Sequence, residues 1–250
     1  MKYNYFDPKF IDKIYESEFD KNDVLNFIKG FVKYLKIDDY LSDVVFKYLK
    51  KGNLAIYNRK TKVVSVSLDA IIDDAKALCE ENVPDKILFI NIMIILTLVH
   101  EITHINQVAH MKDNNPISMI LKRDFTLIDI LTPEEYEYYY GYFTCERDAI
   151  ITSLEYVLYL LKNILKQEKM FNYFFEILAD NLTNGYEIKR KKEISPIQII
   201  NKRFSKKTFP SLTYLDIYDS LKYGLPLSKD KLDNFTENKK LIIIQKINLH

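Results

Sequence analysis

From Asp7 to Lys51 apolar residues return every three or four positions, first as Val24, Ile28, Phe31, Val32 and Leu35, then as Leu41, Val44, Val45, Tyr48 and Leu49. That is the spacing of one helix face, so a helical N-terminal layer is expected. Between Asn53 and Leu68 the period changes. Leu54-Ala-Ile-Tyr57, the polar tetrad Asn58-Arg-Lys-Thr61 and the β-branched stretch Val63-Val-Ser-Val-Ser-Leu68 read as a β-hairpin. Helical spacing resumes from Asp69 to Asn82. Pro84 then stands near a helix N-terminus, and an apolar run from Ile87 to Val99 carries that helix through His100 and His104 to about His110. Asp113-Asn-Asn-Pro116 ends it, and a loop with short apolar pieces follows. Thr132-Pro133-Glu134-Glu135 combines a hydroxyl N-cap, a proline at N1 and acids in the first turn, which predicts a long helix to about Gln167. Further helices are expected at Lys169 to Asn181, Pro196 to Phe204 and Ser211 to Tyr223. Leu241 to Ile247 fits helix or strand.

The fold class expected is α+β, mostly helical, with a small antiparallel sheet over the apolar helix. There is no internal repeat or low-complexity linker, so the simplest organisation is a domain over 1–180 with a helical C-terminal extension, 181–250, packed on it. The 250 residues carry 36 basic and 35 acidic side chains, and 48% are apolar. A nearly neutral chain with a sizeable core is a poor candidate for disorder or for binding polyanions by bulk charge. Its 5 glycines stand far apart, which excludes a glycine-rich phosphate loop. Two cysteines make no disulfide framework, and the start MKYNYFDPKF is too charged and aromatic for a secretory signal, so an intracellular, cytoplasmic setting is expected. The apolar run is shorter than the ~20 residues a membrane span needs and leads straight into His100-Glu101, so it is read as a buried helix.

Chemistry enters at Val99-His100-Glu101-Ile102-Thr103-His104, an HExxH pattern. On a helix, residues four apart differ by only about 40° and one turn, so both imidazoles can reach one cation. Glu101 beside them is placed to handle a water proton. Histidine and glutamate ending a strongly apolar helix are costly to bury unless a metal compensates them. A third ligand is needed. Glu146 in Phe143-Thr-Cys-Glu-Arg-Asp-Ala149 is the first candidate, with Ala149 on the same face allowing close helix approach. His110 is the second, because His100 to His110 matches HExxHxxGxxH with Gln107 in the glycine position. Without that glycine His110 is rotated by about 80° from His100 and lies too far along the helix. Asp148, Glu134, Glu135 and Glu137 remain as other acids. Two imidazoles and a carboxylate favour zinc.

The order of hairpin, HExxH helix and Glu-x-x-Ala helix resembles the zincin metallopeptidases of the gluzincin type, and among them the small ImmA/IrrE-like peptidases; lethal-factor-type toxin domains are a weaker likeness. The resemblance covers about Leu54 to Leu160 and implies His100, His104 and Glu146 as zinc ligands with Glu101 as general base. The chain departs from the family in having Thr103 where HExGH has glycine, and in a longer spacing to the glutamate. On that likeness zinc would supply an acidified water and a polarised carbonyl, and Glu101 would accept the water proton and pass it to the leaving amine. Tyr139 and Tyr142, seven and four residues before Glu146, lie within about 40° of its face if one helix carries all three, so either phenol could assist the oxyanion. By likeness to zincins, the strand Val63 to Leu68 would run along the cleft and pair with an extended peptide, making the substrate a polypeptide.

Lys189-Arg-Lys-Lys192, Lys202-Arg203 and Lys206-Lys207 form a basic stretch, read as a solvated face rather than a nucleic-acid site because no nucleic-acid-binding spacing lies near it. Cys145 is read as a small buried hydrophobe, in preference to a redox handle or a fourth ligand. The leading expectation is an intracellular zinc endopeptidase acting on a protein or peptide. Its competitors are a zincin-fold binding or scaffold protein using the basic C-terminal region, and a translocated toxin-type peptidase with the same chemistry.

Overall fold

Asp7 opens the first helix, its carboxylate accepting from the Lys9 amide at 3.0 Å ahead of Pro8 at N1, and α1 runs Pro8–Lys13. Asp20 caps α2 (Lys21–Tyr34) through a reciprocal box with Asp23. Along α2, Val24, Phe27, Ile28, Phe31 and Val32 are buried, the three-and-four spacing of a core-facing stripe. The computed structural model describes residues 5–49, 53–79, 85–113, 116–129, 136, 140 and 143–177. Within them it is mostly helical with a small mixed three-stranded sheet. The chain divides into two units: residues 1–110 with 152–174, and residues 111–151 with 175–250.

In the first unit the sheet is built from β1 (Asp43–Phe46), β2 (Ala55–Asn58) and β3 (Val63–Val66), in the order β1-β3-β2. The β2–β3 hairpin is antiparallel as expected, with Ala55 opposite Val66 and Asn58 opposite Val63. Its turn is made by the Asn58 side chain, which accepts from the Lys60 and Thr61 amides at 3.0 and 3.1 Å, and Lys62 takes the left-handed conformation that closes it. Two expectations are corrected. The segment around Val44 and Val45 is a strand, not helix: consecutive β-branched residues suit a pleated surface, and β1 pairs along β3 from Asp43–Val63 to Phe46–Val66. That pairing is parallel, so the sheet is mixed rather than antiparallel, and β3 is its centre.

The helix α3 (Leu68–Leu78) follows β3 directly, and α4 (Lys86–Ala109) begins at Asp85, whose carboxylate accepts from the Leu88 amide at 2.9 Å. By length and composition α4 could cross a membrane, yet 72% of its most apolar stretch is buried within the protein. Inside that stretch Asn91 is 0% exposed. Its Nδ2 donates to the Ile14 and Ser17 carbonyls at 2.9 and 2.8 Å, and its Oδ1 accepts from the Phe19 amide at 2.9 Å. The amide that interrupts the apolar run thus fastens the loop between α1 and α2.

In the second unit α5 (Pro116–Ile128) occupies a stretch expected to be loop and short apolar pieces. Proline at its first position and an apolar face are helix signals that the preceding Asp113-Asn-Asn segment obscured. The helix α6 (Thr144–Tyr159) belongs to this unit as far as Ile151, continues in the first unit, and ends in a π turn, Leu160–Ile164. Phe143 is not helical, so no single helix runs from Pro133 to Gln167. The Asp124 carboxylate accepts from the Cys145 amide at 3.2 Å, supplying from α5 the acceptor that a new helix start requires. Residues 168–177 are helical, in line with the helix expected from Lys169. The helix start at Pro133, the later helices, the basic stretch and the whole extension 181–250 lie outside the described residues.

Candidate metal centre

On α4 the HExxH residues are arranged within the first unit. The His100 and His104 Nε2 atoms face each other at 3.1 Å, with the rings nearly perpendicular at 82° and centroids 4.7 Å apart. Two nitrogens on one tetrahedral zinc, each about 2.05 Å from it, stand roughly 3.3 Å apart, so the pair fits a shared cation. The other nitrogen of His104 is committed: Nδ1 lies 2.9 Å from Oε1 of Gln107. Because that amide oxygen only accepts, Nδ1 carries the proton and Nε2 keeps a lone pair, the form a metal ligand needs. Gln107, 2% exposed, was passed over in the sequence as a mere replacement for glycine. Its position one turn after His104 was the available signal.

Glu101 is 6% exposed. Its Oε2 accepts from the backbone amide of Tyr57, on β2, at 2.6 Å. The Tyr57 phenol donates to the Tyr40 carbonyl at 2.8 Å, and burial, with Tyr40 beside it, pushes its pKa up to about 12. Thr103 is fully buried, its hydroxyl donating to the Val99 carbonyl at 2.7 Å, so the residue standing where an HExGH pattern has glycine is satisfied by its own helix. His110 is the exposed C-cap of α4, and its Nδ1 donates to the Asn106 carbonyl at 2.9 Å. That ring is folded onto its own helix end.

Glu146 belongs to the second unit, where it is 5% exposed and sits in the first turn of α6. A carboxylate there faces the positive end of the helix dipole. The Tyr136 hydroxyl donates to its Oε1 at 2.8 Å. Tyr136 stacks on Phe143 at 5.8 Å, and burial followed by the Glu146 charge drives its pKa far above the ordinary phenol range. Tyr136, ten residues before Glu146, was not among the candidates that the sequence offered. Tyr139 and Tyr142 lie outside the described residues, and the break at Phe143 removes the continuous helix on which their shared face with Glu146 rested. Cys145 is buried, and desolvation, then the Glu146 and Asp124 charges, raises its thiol pKa. It is a neutral buried side chain, in keeping with a packing role.

Comparison with family models, with curated proteins and with solved structures returns no match to this chain.

Proposed function

We propose that the chain is a zinc-dependent endopeptidase of the gluzincin type, in which His100, His104 and Glu146 hold the metal and Glu101 is the general base. The observation that carries this reading is the facing pair of His100 and His104 Nε2 atoms at 3.1 Å, with Gln107 fixing the His104 ring through Nδ1. Among the described residues, His104 and Glu146 are buried and His100 half-buried, each a ligand-type side chain within its own unit. A zincin-like core is supported by a small sheet whose edge strand lies over the HExxH helix.

When bound, the ion supplies Lewis acidity, lowering the pKa of water toward neutrality and polarising a peptide carbonyl. The residues do the rest. Glu101 is held through Oε2, which leaves Oε1 to take a proton from water and return it to the leaving amine. The Tyr136 hydroxyl orients the Glu146 carboxylate, the supporting contact that a ligating carboxylate needs. The substrate is a polypeptide in an intracellular setting.

The test has two arms. Metal content is measured for wild type, Glu146→Ala and His110→Ala; loss in Glu146→Ala alone is expected, and loss in His110→Ala alone overturns the ligand set. The metal-loaded protein is then offered a pool of peptides, with Glu101→Gln as the inactive control; a pool left intact by wild type overturns the peptidase. A second reading, a zincin-fold binding protein without catalysis, draws on the Tyr57–Glu101 bond, because that bond gives Glu101 a structural use on its own. The same peptide pool separates the two.

A further inference from the structure

Among the described residues the strand beside Glu101 is paired on one side, by β3, and its geometry can be read from the ladder. The Ser67 amide donates to the Leu54 carbonyl at 2.8 Å, which makes Leu54–Ser67 a hydrogen-bonded pair. Alternation along an antiparallel ladder then turns the amides of Ile56 and Asn58 toward β3 and those of Ala55 and Tyr57 away from it. On the opposite side of the sheet, the Lys47 amide donates to the Val66 carbonyl, so β3 is paired on both flanks. This corrects the expectation that the strand Val63 to Leu68 would receive a peptide: a central strand has no edge to offer. The edge strands are β1 and β2, and on β2 the outward Tyr57 amide already donates to Glu101 at 2.6 Å.

We infer that the Tyr57 backbone amide is a positioning group for Glu101, so that β2 serves the glutamate at this point instead of pairing with an extended substrate. A carboxylate on a helix retains freedom about its side-chain torsions, and loss of orientation in a proton-transfer group lowers turnover without weakening substrate binding. Anchoring Oε2 on a strand fixes which oxygen stays available to take a proton. It also withdraws one donor from the β2 edge, so a peptide lying there cannot form a regular ladder through Tyr57. Recognition must then come from side-chain pockets or from the remaining outward groups, which leaves the enzyme less tied to a fully extended substrate.

The inference rests on the peptidase reading for its kinetic consequence but not for the bond itself, and the experiment keeps them apart. Hydrogen exchange is measured residue by residue on the full chain, wild type against Glu101→Ala. The Tyr57 amide is expected to exchange at least ~10-fold faster in the variant, with Ile56 and Asn58 unchanged because their amides face β3. Equal exchange at Tyr57 in both proteins overturns the inference whether or not any peptide is cleaved. Tyr57→Pro then removes the amide on an edge strand that tolerates proline, while Tyr57→Ala keeps the amide and removes the phenol. A fall in kcat of about 10-fold or more at unchanged KM, seen in Tyr57→Pro and not in Tyr57→Ala, supports positioning. A rise in KM at unchanged kcat means that the amide pairs with substrate, and the inference fails. Should Tyr57→Pro not fold, the exchange comparison still decides. Failure of wild type to cleave any peptide sinks the peptidase reading alone.

Discussion

Asn91 and His104 are buried polar groups on the same helix, with His100 half-buried beside the second, and they are finished in opposite ways. Asn91 directs all its bonds to backbone groups of the loop from Ile14 to Phe19, two carbonyls and one amide. Its partners are part of the chain, and its role ends with them. His100 and His104 instead turn ring nitrogens toward a common point, while Gln107 occupies the far side of one ring. Two imidazole lone pairs converging at hydrogen-bond distance repel unless a proton or a cation stands between them. A buried polar group saturated by backbone is therefore a fastening, whereas nitrogens that converge on one another are where the proposed ion would sit. Burial alone does not separate these cases; the direction of the bonds does.

The largest effect sharpens the catalytic side of that contrast. Glu101→Gln keeps the shape and the acceptor for the Tyr57 amide but cannot take a proton, so peptide hydrolysis is expected to fall by about 10²–10⁴-fold while metal content stays at the wild-type level. Rate assays with metal analysis on the same samples check it. A loss of metal in this variant would mean that Glu101 is a ligand. Next comes the fastening. Asn91→Ala strands the Ile14 and Ser17 carbonyls and the Phe19 amide, and at about 1–3 kcal/mol for each buried unpaired group the loss of stability should reach about 3 kcal/mol or more by denaturant unfolding. Metal bound per folded molecule should not change. If it does, the two ends of α4 are not independent.

The same contrast explains which parts of the molecule could be read from the chain. The apolar face of α2, the hairpin and the long helix α4 follow from periodicity because each repeats a local rule over many residues. The two imidazoles follow from a four-residue spacing on one helix. What failed was decided by distant partners. Val44 and Val45 fit both a helical and a strand pattern, and pairing with β3 selected the strand. The start of α6 depends on Asp124, twenty-one residues before Cys145, which accepts the orphan amide. Tyr136 reaches Glu146 across a helix break at Phe143, and no single period connects the two. Gln107 was visible in place, yet its role appears only once the ring of His104 has an orientation.

Gln107→Ala probes the contrast at an intermediate scale. Removing the acceptor frees the His104 ring to change tautomer and rotamer, and metal affinity should drop by about 10–100-fold, read by competition with a chelator of known affinity. Stability of the metal-free protein should change little by comparison with Asn91→Ala, because the effect lies in the site and not in the fastening. Equal affinity in wild type and variant would leave His104 without the support argued for it.

The smallest effect lies beside the loop that Asn91 fastens. Asp20 caps α2, accepting from the Asn22 and Asp23 amides at 2.7 and 3.0 Å, with Lys13 at 3.6 Å. The Asp23 amide first, then that of Asn22 and the Lys13 charge, hold its pKa below the usual value of 3.8. A carboxylate with a lowered folded-state pKa contributes stability that is complete above its unfolded value and is lost as pH falls through the folded one. Asp20→Asn keeps a capping acceptor and removes the charge. The difference between wild type and variant should therefore be constant from neutrality down to about pH 4, then close below it. For an exposed cap screened by water it should amount to a few tenths of a kcal/mol, about 1 at most. Thermal unfolding of both proteins from pH 7 to pH 2 measures it. A difference that persists unchanged at pH 2 would show that the charge of Asp20 is not what the cap uses.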